Sequence, residues 1–320
     1  MKRYFGFVTC CFGLSFLTET IEVASLSVCP SWEEVEPCFC DIGFKGLKIY
    51  CTNISSSLEI EHLRRNIPQY GPIEELVITE SSLRRLPKDI FEGTNISYLA
   101  LDKVELNPVS EEDIPFLEGN SNTLEEVYVY KSFQKGSGKI SFSHLENLKF
   151  LQIVYNNIDT VHGWFKGGPY LLNEVELVNN AITSIGETSF SDLVNLRILS
   201  LQRNYISLVS RSMFPNNINT LDLSDNQISV LPPDIFTTML SLEEIYITNN
   251  NIVSLEEKTW KPVWKQLVTV WVEDNPLACD KKLRWILDLD FPKHLWGFCA
   301  APEHLRGKDL VDLKPEDLNI

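Results

Sequence analysis

Carboxylates are the side chains of this sequence that could perform acid–base chemistry. Glu174 and Glu176 stand two residues apart in a chain with 44 Asp and Glu against 28 Lys and Arg, a net charge of −16. A glycoside hydrolase needs two carboxyl groups that flank its substrate in a cleft. Such spacing is common in an acidic chain, and the elements around this pair predict an open sheet. We therefore expect no catalytic residue, and the negative charge argues against nucleic-acid binding.

The histidines and glycines form no catalytic or cofactor motif. The five histidines are His62, His144, His162, His294 and His304. None belongs to an H-E-x-x-H zinc motif, and none falls at a predicted outward strand position. The dinucleotide-binding, phosphate-loop and nucleophile-elbow patterns are also missing. The sequence predicts a protein that is not an enzyme and that binds no metal and no cofactor.

The first 24 residues have the features of a secretory signal peptide. Lys2 and Arg3 precede a short apolar run at residues 4–17, and Val23 and Ala24 suit a cleavage site. The alternative is a signal anchor, but a membrane-spanning helix needs about 20 apolar residues. No second apolar stretch follows, so we expect a secreted, extracellular protein without a membrane anchor.

Cleavage near Ala24 would remove Cys10 and Cys11 from the eight cysteines. The remaining six are Cys29, Cys38, Cys40, Cys51, Cys279 and Cys299. An even number of cysteines in an oxidising compartment predicts disulfides. The alternative is a zinc site at the N-terminal cluster, which lacks nearby histidines.

The middle of the chain repeats at intervals of 22 to 25 residues. Segments that fit L-x-x-L-x-L-x-x-N-x-L begin at Leu148, Leu172, Leu196, Ile218, Leu242 and Leu267, and weaker ones at Ile73, Ile96 and Leu124. This template is identified as that of the leucine-rich repeat, with about nine copies. It implies an α/β solenoid of horseshoe shape, in which the strands form a concave parallel β-sheet.

The template also predicts which side chains are buried. In each L-x-L core the aliphatic residues point inward and the residue between them points to the open face. The asparagines of the template are Asn156, Asn180, Asn204, Asn226, Asn250 and Asn275. Their amides are expected to bond backbone groups that lack a ladder partner. A column of Phe91, Phe142, Phe190, Phe214 and Phe236 is expected in the core.

Both ends of the repeat array resemble the cysteine-rich caps of extracellular leucine-rich-repeat proteins. The N-terminal segment is CPSWEEVEPCFCDIGFKGLKIYC, and the C-terminal one begins NPLACDKKLRWILD. The resemblance implies the bridges Cys29–Cys40, Cys38–Cys51 and Cys279–Cys299. Lys281 stands where the C-terminal cap commonly has a further cysteine, so a single bridge is expected there. The implied domains are a signal peptide (1–24), an N-terminal cap (25–72), the repeats (73–275) and a C-terminal cap (276–320).

The whole layout, with short length, two caps and irregular early repeats, resembles a narrower family. This family comprises the non-catalytic leucine-rich-repeat subunit of oplophorus luciferin 2-monooxygenase and its arthropod relatives. The resemblance implies a stabilising or carrier subunit.

The predicted open face is more acidic than the chain as a whole. Its acids are Glu75, Glu80, Asp102, Glu126, Glu174, Glu176, Asp222, Asp225, Glu244, Glu273 and Asp274, and its bases are Lys103, Lys131 and Arg203. A merely solvated face remains the alternative. We select Glu174, Glu176, Asp222 and Asp225 as candidate partner-binding residues.

Aromatic residues are the other candidates on this face. Tyr98, Tyr128, Tyr130, Phe150 and Tyr155 fall on adjacent predicted strands, and Tyr246 and Trp271 form a smaller group. Exposed aromatic clusters are typical of interface hot spots. The alternative is that the irregular repeats fold these rings inward. Two N-x-S sequons, at Asn53 and Asn95, are candidate glycosylation sites.

These observations favour a secreted binding scaffold that holds an extracellular protein partner, of basic character, on its concave face. It could serve as the non-catalytic subunit of a secreted complex. An alternative is a matrix or innate-immune recognition protein for glycan or microbial ligands, with Tyr246 and Trp271 as platforms. A hydrolase would need a concave carboxylate with a raised pKa in a pocket. The sequence leaves the oligomeric state open.

Overall fold

The computed structural model describes residues 28–83, 91–106, 114–115, 117–133 and 140–318. The predicted signal peptide lies outside these residues. Within them no helix is both long and apolar enough to span a membrane.

Short strands at the repeat interval dominate the described chain. The strands are β1 (Phe39–Ile42), β2 (Leu47–Thr52), β3 (Ile73–Thr79), β4 (Tyr98–Asp102), β5 (Ile114–Pro115), β6 (Glu126–Tyr130), β7 (Ile140–Ser141), β8 (Phe150–Val154), β9 (Thr160–Val161), β10 (Glu174–Glu176), β11 (Ser184–Ile185), β12 (Ile198–Ser200), β13 (Thr220–Asp222), β14 (Glu244–Tyr246), β15 (Thr269–Trp271) and β16 (His294–Trp296).

Helices are few and short. The α-helices are α1 (Trp32–Val35), α2 (Ser57–Asn66) and α3 (Glu257–Trp264). The 3₁₀ segments are Ile67–Tyr70, Glu118–Asn120, Arg211–Met213, Lys281–Asp288, Glu303–Leu305, Leu310–Asp312 and Pro315–Leu318. Where the structure describes the connections between strands, they therefore consist mainly of turns and irregular segments.

One sheet runs through the described molecule from cap to cap. It contains twelve strands of the described chain, in the order β1-β2-β3-β4-β6-β8-β10-β12-β13-β14-β15-β16. The pair β1–β2 is antiparallel, and every other neighbouring pair is parallel. Because each repeat adds one strand beside the last, the predicted solenoid with a parallel sheet is confirmed.

The inward side chains form one continuous core. Leu151, Val175, Leu199, Leu221 and Ile245 lie opposite one another on successive strands and are fully buried. Each apolar side chain buried in this way stabilises the fold by roughly 1.5–3 kcal/mol. The residues beside them on each strand point to the other face and remain partly exposed.

The template asparagines are buried, as predicted, and they bridge adjacent repeats. The Asn204 amide nitrogen donates to the carbonyl oxygens of Leu177 and Leu201, at 2.8 and 2.9 Å. Its amide oxygen accepts from the Ile182 backbone nitrogen at 3.1 Å. In the first repeat Ser81 takes the same place, since its hydroxyl accepts from the Ile54 backbone nitrogen at 2.9 Å. One side chain thus satisfies backbone groups that the short strands leave unpaired.

The predicted phenylalanine column is buried on the side of the core away from the sheet. Two aromatic residues that the template did not indicate join it. Phe165 lies between Phe142 and Phe190, with ring centroids 6.0 and 5.7 Å away. Trp260 extends the column beyond Phe236, at 5.4 Å.

Disulfides close the two ends of the solenoid. The structure pairs Cys29 with Cys40, Cys38 with Cys51, and Cys279 with Cys299, which are the bridges that the cap resemblance implied. In the C-terminal cap, the Trp285 indole nitrogen donates to the Leu255 carbonyl at 2.9 Å. The cap is thereby fastened to the last repeats.

Candidate functional site

The outward side chains of the twelve-stranded sheet form the face opposite the core, which we call the open face. Strand register brings one group of predicted aromatic residues together there. Tyr98 lies opposite Glu126, and Glu126 lies opposite Phe150. The Tyr128 ring centroid is 4.9 Å from that of Tyr98 and 4.8 Å from that of Phe150. We call Tyr98, Tyr128 and Phe150 the aromatic triplet.

The alternative that these rings fold inward does not hold. Val127 and Val129, which flank Tyr128 on β6, are the inward residues and are fully buried. The rings of the triplet are only partly buried, on the opposite side of the sheet. They therefore present aromatic surface without forming part of the core.

Tyr130 and Tyr155 form a separate pair beside the triplet. Their ring centroids are 5.4 Å apart in an edge-to-face arrangement, and Tyr155 remains 46% exposed. The Lys131 ammonium lies 5.2 Å from the Tyr130 centroid and 5.5 Å from the Tyr155 centroid. These distances are within the range of cation–π contacts, so these rings already hold one cation.

A depression with a volume of about 780 Å³ occupies the later part of the open face, from Tyr130 to Trp271. Its lining includes the predicted residues Glu176, Asp222, Asp225, Tyr246 and Trp271. It also includes residues that sequence reasoning did not select, namely Gln152, Val154, Val178, Ile198, Ser200, Gln202, Thr220, Ser224, Thr248 and Glu273. All but Glu273 are uncharged, so a search for charged or aromatic positions passed over them.

The carboxylates of the open face differ in the hydrogen bonds and ion pairs that offset their negative charge. Asp225 accepts hydrogen bonds from Asn249 at 2.7 Å and Gln202 at 3.2 Å, and Arg203 lies 3.4 Å away. Burial raises the pKa of Asp222, although the Ser224 backbone nitrogen donates to this carboxylate at 2.9 Å. Asp222 is therefore desolvated, and its donors are the Ser224 backbone nitrogen and the hydroxyl groups of Ser224 and Ser200.

Glu174 also has a perturbed carboxyl group. Burial raises its pKa, and repulsion from Glu176 adds to the effect. Glu176 in turn accepts a hydrogen bond from the Gln152 amide at 2.6 Å. Glu174 lies between the aromatic triplet and the depression, opposite Phe150, but it does not line the depression.

The C-terminal aromatic group is larger than predicted. Tyr246 and Trp271 meet edge to face at 5.1 Å, and Trp271 contacts Trp296 of β16 at 6.3 Å. Trp296 was missed because the cap sequence lacks the repeat template. The signal available was the short pattern His294-Leu295-Trp296, in which Leu295 is the inward residue.

The expectation that no histidine occupies an outward strand position is wrong for His294. This residue lies on β16, opposite Thr269, and is exposed. The cap adds a strand to the sheet, which places His294 at the sheet edge.

Both sequon asparagines are exposed at turns. Asn53 and Asn95 have positive φ angles, 56° and 51°, and lie just beyond the end of β2 and just before β4. A glycan on either would project from the margin of the sheet and leave the open face free.

Comparisons with known proteins agree with the repeat architecture. The family model described as "Leucine rich repeat" matches residues 170–217 and 216–263. The chain is 22% identical to the Oplophorus-luciferin 2-monooxygenase non-catalytic subunit of Oplophorus gracilirostris, over 95% of this chain and 91% of that protein. It is 34% identical to lumican of Mus musculus, over 52% of this chain and 47% of lumican. The match to lumican thus spans about half of each protein.

Solved structures resemble the fold over most of the chain. The leucine-rich-repeat protein FLRT2, in an octameric complex with Latrophilin 3 and Unc5D, has a TM-score of 0.62 at 20% identity. That match covers 91% of this chain and 99% of the solved one. Human 5T4, also named trophoblast glycoprotein, has a TM-score of 0.52 at 22% identity, with 92% and 100% covered.

Proposed function

Because the chain is a leucine-rich-repeat solenoid with disulfides near both ends, we propose that it is a secreted, extracellular scaffold that holds a protein partner on its open face. The observation that carries the proposal is the aromatic triplet. These three rings, in which Tyr128 contacts both of the others, lie on the solvent side of a sheet and have no role in the core. Large, rigid aromatic side chains of this kind supply much of the energy in protein interfaces.

The relatives support a non-enzymatic role. The chain is homologous over nearly its full length to a protein named as a non-catalytic subunit. We therefore propose that this protein also acts as the non-catalytic member of a secreted complex. A hydrolase has less support, because Glu174 lies outside the depression and Asp222, the other carboxyl group with a raised pKa, lines a depression that is open to solvent. The sequons at Asn53 and Asn95 would carry glycans in such a protein.

The experiment starts by identifying the partner. The tagged protein is used to capture binding proteins from extracellular fluid, and captured proteins are then titrated against Tyr128→Ala and Tyr130→Ala variants. Each substitution removes outward surface without emptying the core, so affinity should fall by about 2 kcal/mol or more, roughly thirtyfold. Tyr205→Ala is the matched control, because Tyr205 is 54% exposed in the turn that follows Asn204, outside the strands. Unchanged affinity in both open-face variants, with circular dichroism showing intact folding, would refute the proposed site.

A second candidate, recognition of glycan or microbial ligands, is favoured by the group Tyr246, Trp271 and Trp296. Trp271 and Trp296 are 40% and 49% exposed, and Asn249 and Asp225 supply polar groups nearby. Sugar rings stack on exposed indoles while hydroxyl groups bond to amides and carboxylates. Titration with soluble oligosaccharides should then quench tryptophan fluorescence in the wild type and lose this effect in Trp271→Ala. Oligosaccharides that leave the fluorescence unchanged would argue for the protein partner.

A further inference from the structure

Acidic and aromatic residues alternate along one row of the open face. The row runs across five successive strands of the sheet, from β3 to β10, and register places its members side by side. In order they are Glu75, Tyr98, Glu126, Phe150 and Glu174. Neighbouring strands lie about 4.8 Å apart, so glutamates two strands apart are separated by roughly 10 Å. An aromatic ring occupies each interval between them.

The carboxylates of this row differ in whether they form an ion pair with a lysine or arginine of the chain. Glu75 pairs with Lys48, whose ammonium is 2.9 Å from the carboxylate. Glu126 accepts a hydrogen bond from the Tyr128 hydroxyl at 2.9 Å. Neither Glu126 nor Glu174 forms an ion pair with any residue that the structure describes. Two partly buried carboxylates thus remain without a cation.

The surface next to this row adds to the negative field. A depression of about 260 Å³ borders Tyr98 and Glu126 and is also lined by Glu74, Glu75 and Glu125. Its lining includes a single base, Lys45. Acids outnumber bases on this side, although Lys48 pairs with Glu75 and Lys149 pairs with Glu125, and an excess of negative charge raises the association rate of a cation.

Guanidinium groups match this pattern better than ammonium groups. The arginine side chain is planar, stacks on aromatic rings and donates two parallel hydrogen bonds to a carboxylate. The row places a carboxylate beside each ring, although Tyr128 already contacts the rings of both Tyr98 and Phe150. The neighbouring Lys131 shows that the rings of this face do accept a cation, over Tyr130 and Tyr155.

We propose that Glu126 and Glu174, with Tyr98 and Phe150 as stacking surfaces, bind two arginine side chains about 10 Å apart on an extended segment of the partner. This rests on the proposed scaffold function, because it names the chemistry of the partner. In an extended chain three residues span about 10 Å, so arginines at positions i and i+3 fit. A second copy of this chain is not the occupant, because two open faces of the same acidic character repel each other.

The test uses peptides of identical composition. Gly-Arg-Gly-Gly-Arg-Gly carries the spaced arginines, and Gly-Gly-Arg-Arg-Gly-Gly carries adjacent ones. A third peptide, Gly-Lys-Gly-Gly-Lys-Gly, keeps the spacing and the charge. All are capped at both ends, labelled with the same dye and titrated against the full protein at low ionic strength. The spaced arginine peptide should bind about fivefold more tightly than either of the others, a ratio in the range of one cation–π contact.

Protein variants separate specific binding from general attraction to an acidic protein. Glu126→Gln should weaken binding of the spaced peptide about fivefold. Glu187→Gln, which removes the same charge at an exposed turn away from the sheet, should change it less than twofold. Phe150→Leu should abolish the preference for arginine over lysine, whereas Phe298→Leu in the C-terminal cap should preserve it.

Equal affinity for the three peptides, or equal effects of Glu126→Gln and Glu187→Gln, would overturn the proposal. These outcomes are distinct from failure of the scaffold function. If Tyr128→Ala still loses the captured partner, the open face binds a protein, but not through paired arginines. If Tyr128→Ala and Tyr130→Ala both keep the partner and the peptides show no preference, both proposals fail.

Discussion

Two buried asparagines of this chain have opposite effects on the stability of the fold. Asn204 is 4% exposed, and its amide bonds backbone groups of its own repeat and of the repeat before it. Asn120 is 2% exposed, but neither its amide nitrogen nor its amide oxygen has a hydrogen-bond partner among the residues that the structure describes. A buried polar group that is paired stabilises the fold, whereas an unpaired one costs about 1–3 kcal/mol. The environment of each amide decides its effect, although the residue type is the same.

Asn204→Ala should lower the free energy of unfolding by about 1–3 kcal/mol, because it leaves buried backbone groups unpaired. Denaturant titration followed by circular dichroism measures the change. Asn251→Ala is the control, since Asn251 is exposed and lies one residue after the equivalent template position, Asn250. Equal stability of the Asn204 variant and the wild type would contradict the role assigned to the asparagine column.

Asn120→Leu should raise the free energy of unfolding by about 1 kcal/mol. Asn120 follows Leu117 by three residues, as Leu145 follows Phe142 and Leu193 follows Phe190, so two other repeats have an aliphatic residue at this place. The substitution replaces unpaired polar atoms by apolar ones. The thermal unfolding midpoint of the variant measures the effect. A lower midpoint would mean either that the amide is satisfied in solution or that the larger side chain is too tightly packed.

At the scale of elements, strand length and the C-terminal cap decide which side chains the sheet presents on its open face. Strands β4, β6 and β8 have five residues each, whereas β10 to β15 of the sheet have three. The longer strands carry the aromatic triplet and Tyr130, so the irregular repeats give a wider open face. At the far end, β16 covers the edge of β15 and donates Trp296 to the same face.

Removal of residues 276–320 should make the protein aggregate. The truncation uncovers the β15 edge and the Trp264 ring, which packs against Trp285 at 4.9 Å. Unpaired strand edges and bare apolar core favour association between chains. Size-exclusion chromatography with light scattering, with the full chain run in the same buffer, reports the outcome. A monodisperse, folded truncation would show that the cap is dispensable.

At the scale of the whole molecule, the disulfides of the caps stabilise the repeat array, and its net charge affects how chains interact. Each bridge of the caps closes a short loop, with sequence separations of 11, 13 and 20 residues. On the chain-entropy estimate a loop of this size adds about 3 kcal/mol of stability. The net charge of −16 makes copies of the chain repel one another at low ionic strength.

The protein recovered from a secretory host should therefore have no free thiol when it is denatured without reductant. All six cysteines from Cys29 onward are paired in the structure, and Cys10 and Cys11 lie in the predicted signal peptide. Thiol titration together with intact mass spectrometry tests both points at once. A titratable thiol, or a mass that retains residues 1–24, would contradict the prediction.

The sequence by itself determined the features that depend on neighbours along the chain. Alternation with period two specified that Val127 and Val129 point inward and Tyr128 outward, because successive side chains of a strand point to opposite faces. The repeat interval specified the strand order, since each repeat can bury its apolar residues only against the next one. The burial of Asn204 followed from the same template.

Tertiary structure decided the features that depend on which strands lie side by side and how they align. The strand register placed Glu126 between Tyr98 and Phe150. It also brought Glu176 and Asp222, which belong to different repeats, into the lining of one depression. The raised pKa of Asp222 required the surrounding strands, because desolvation sums over all of them. The C-terminal cap added Trp296 through a backbone pairing that no local pattern specifies, since hydrogen bonds between parallel strands join residues distant in the chain.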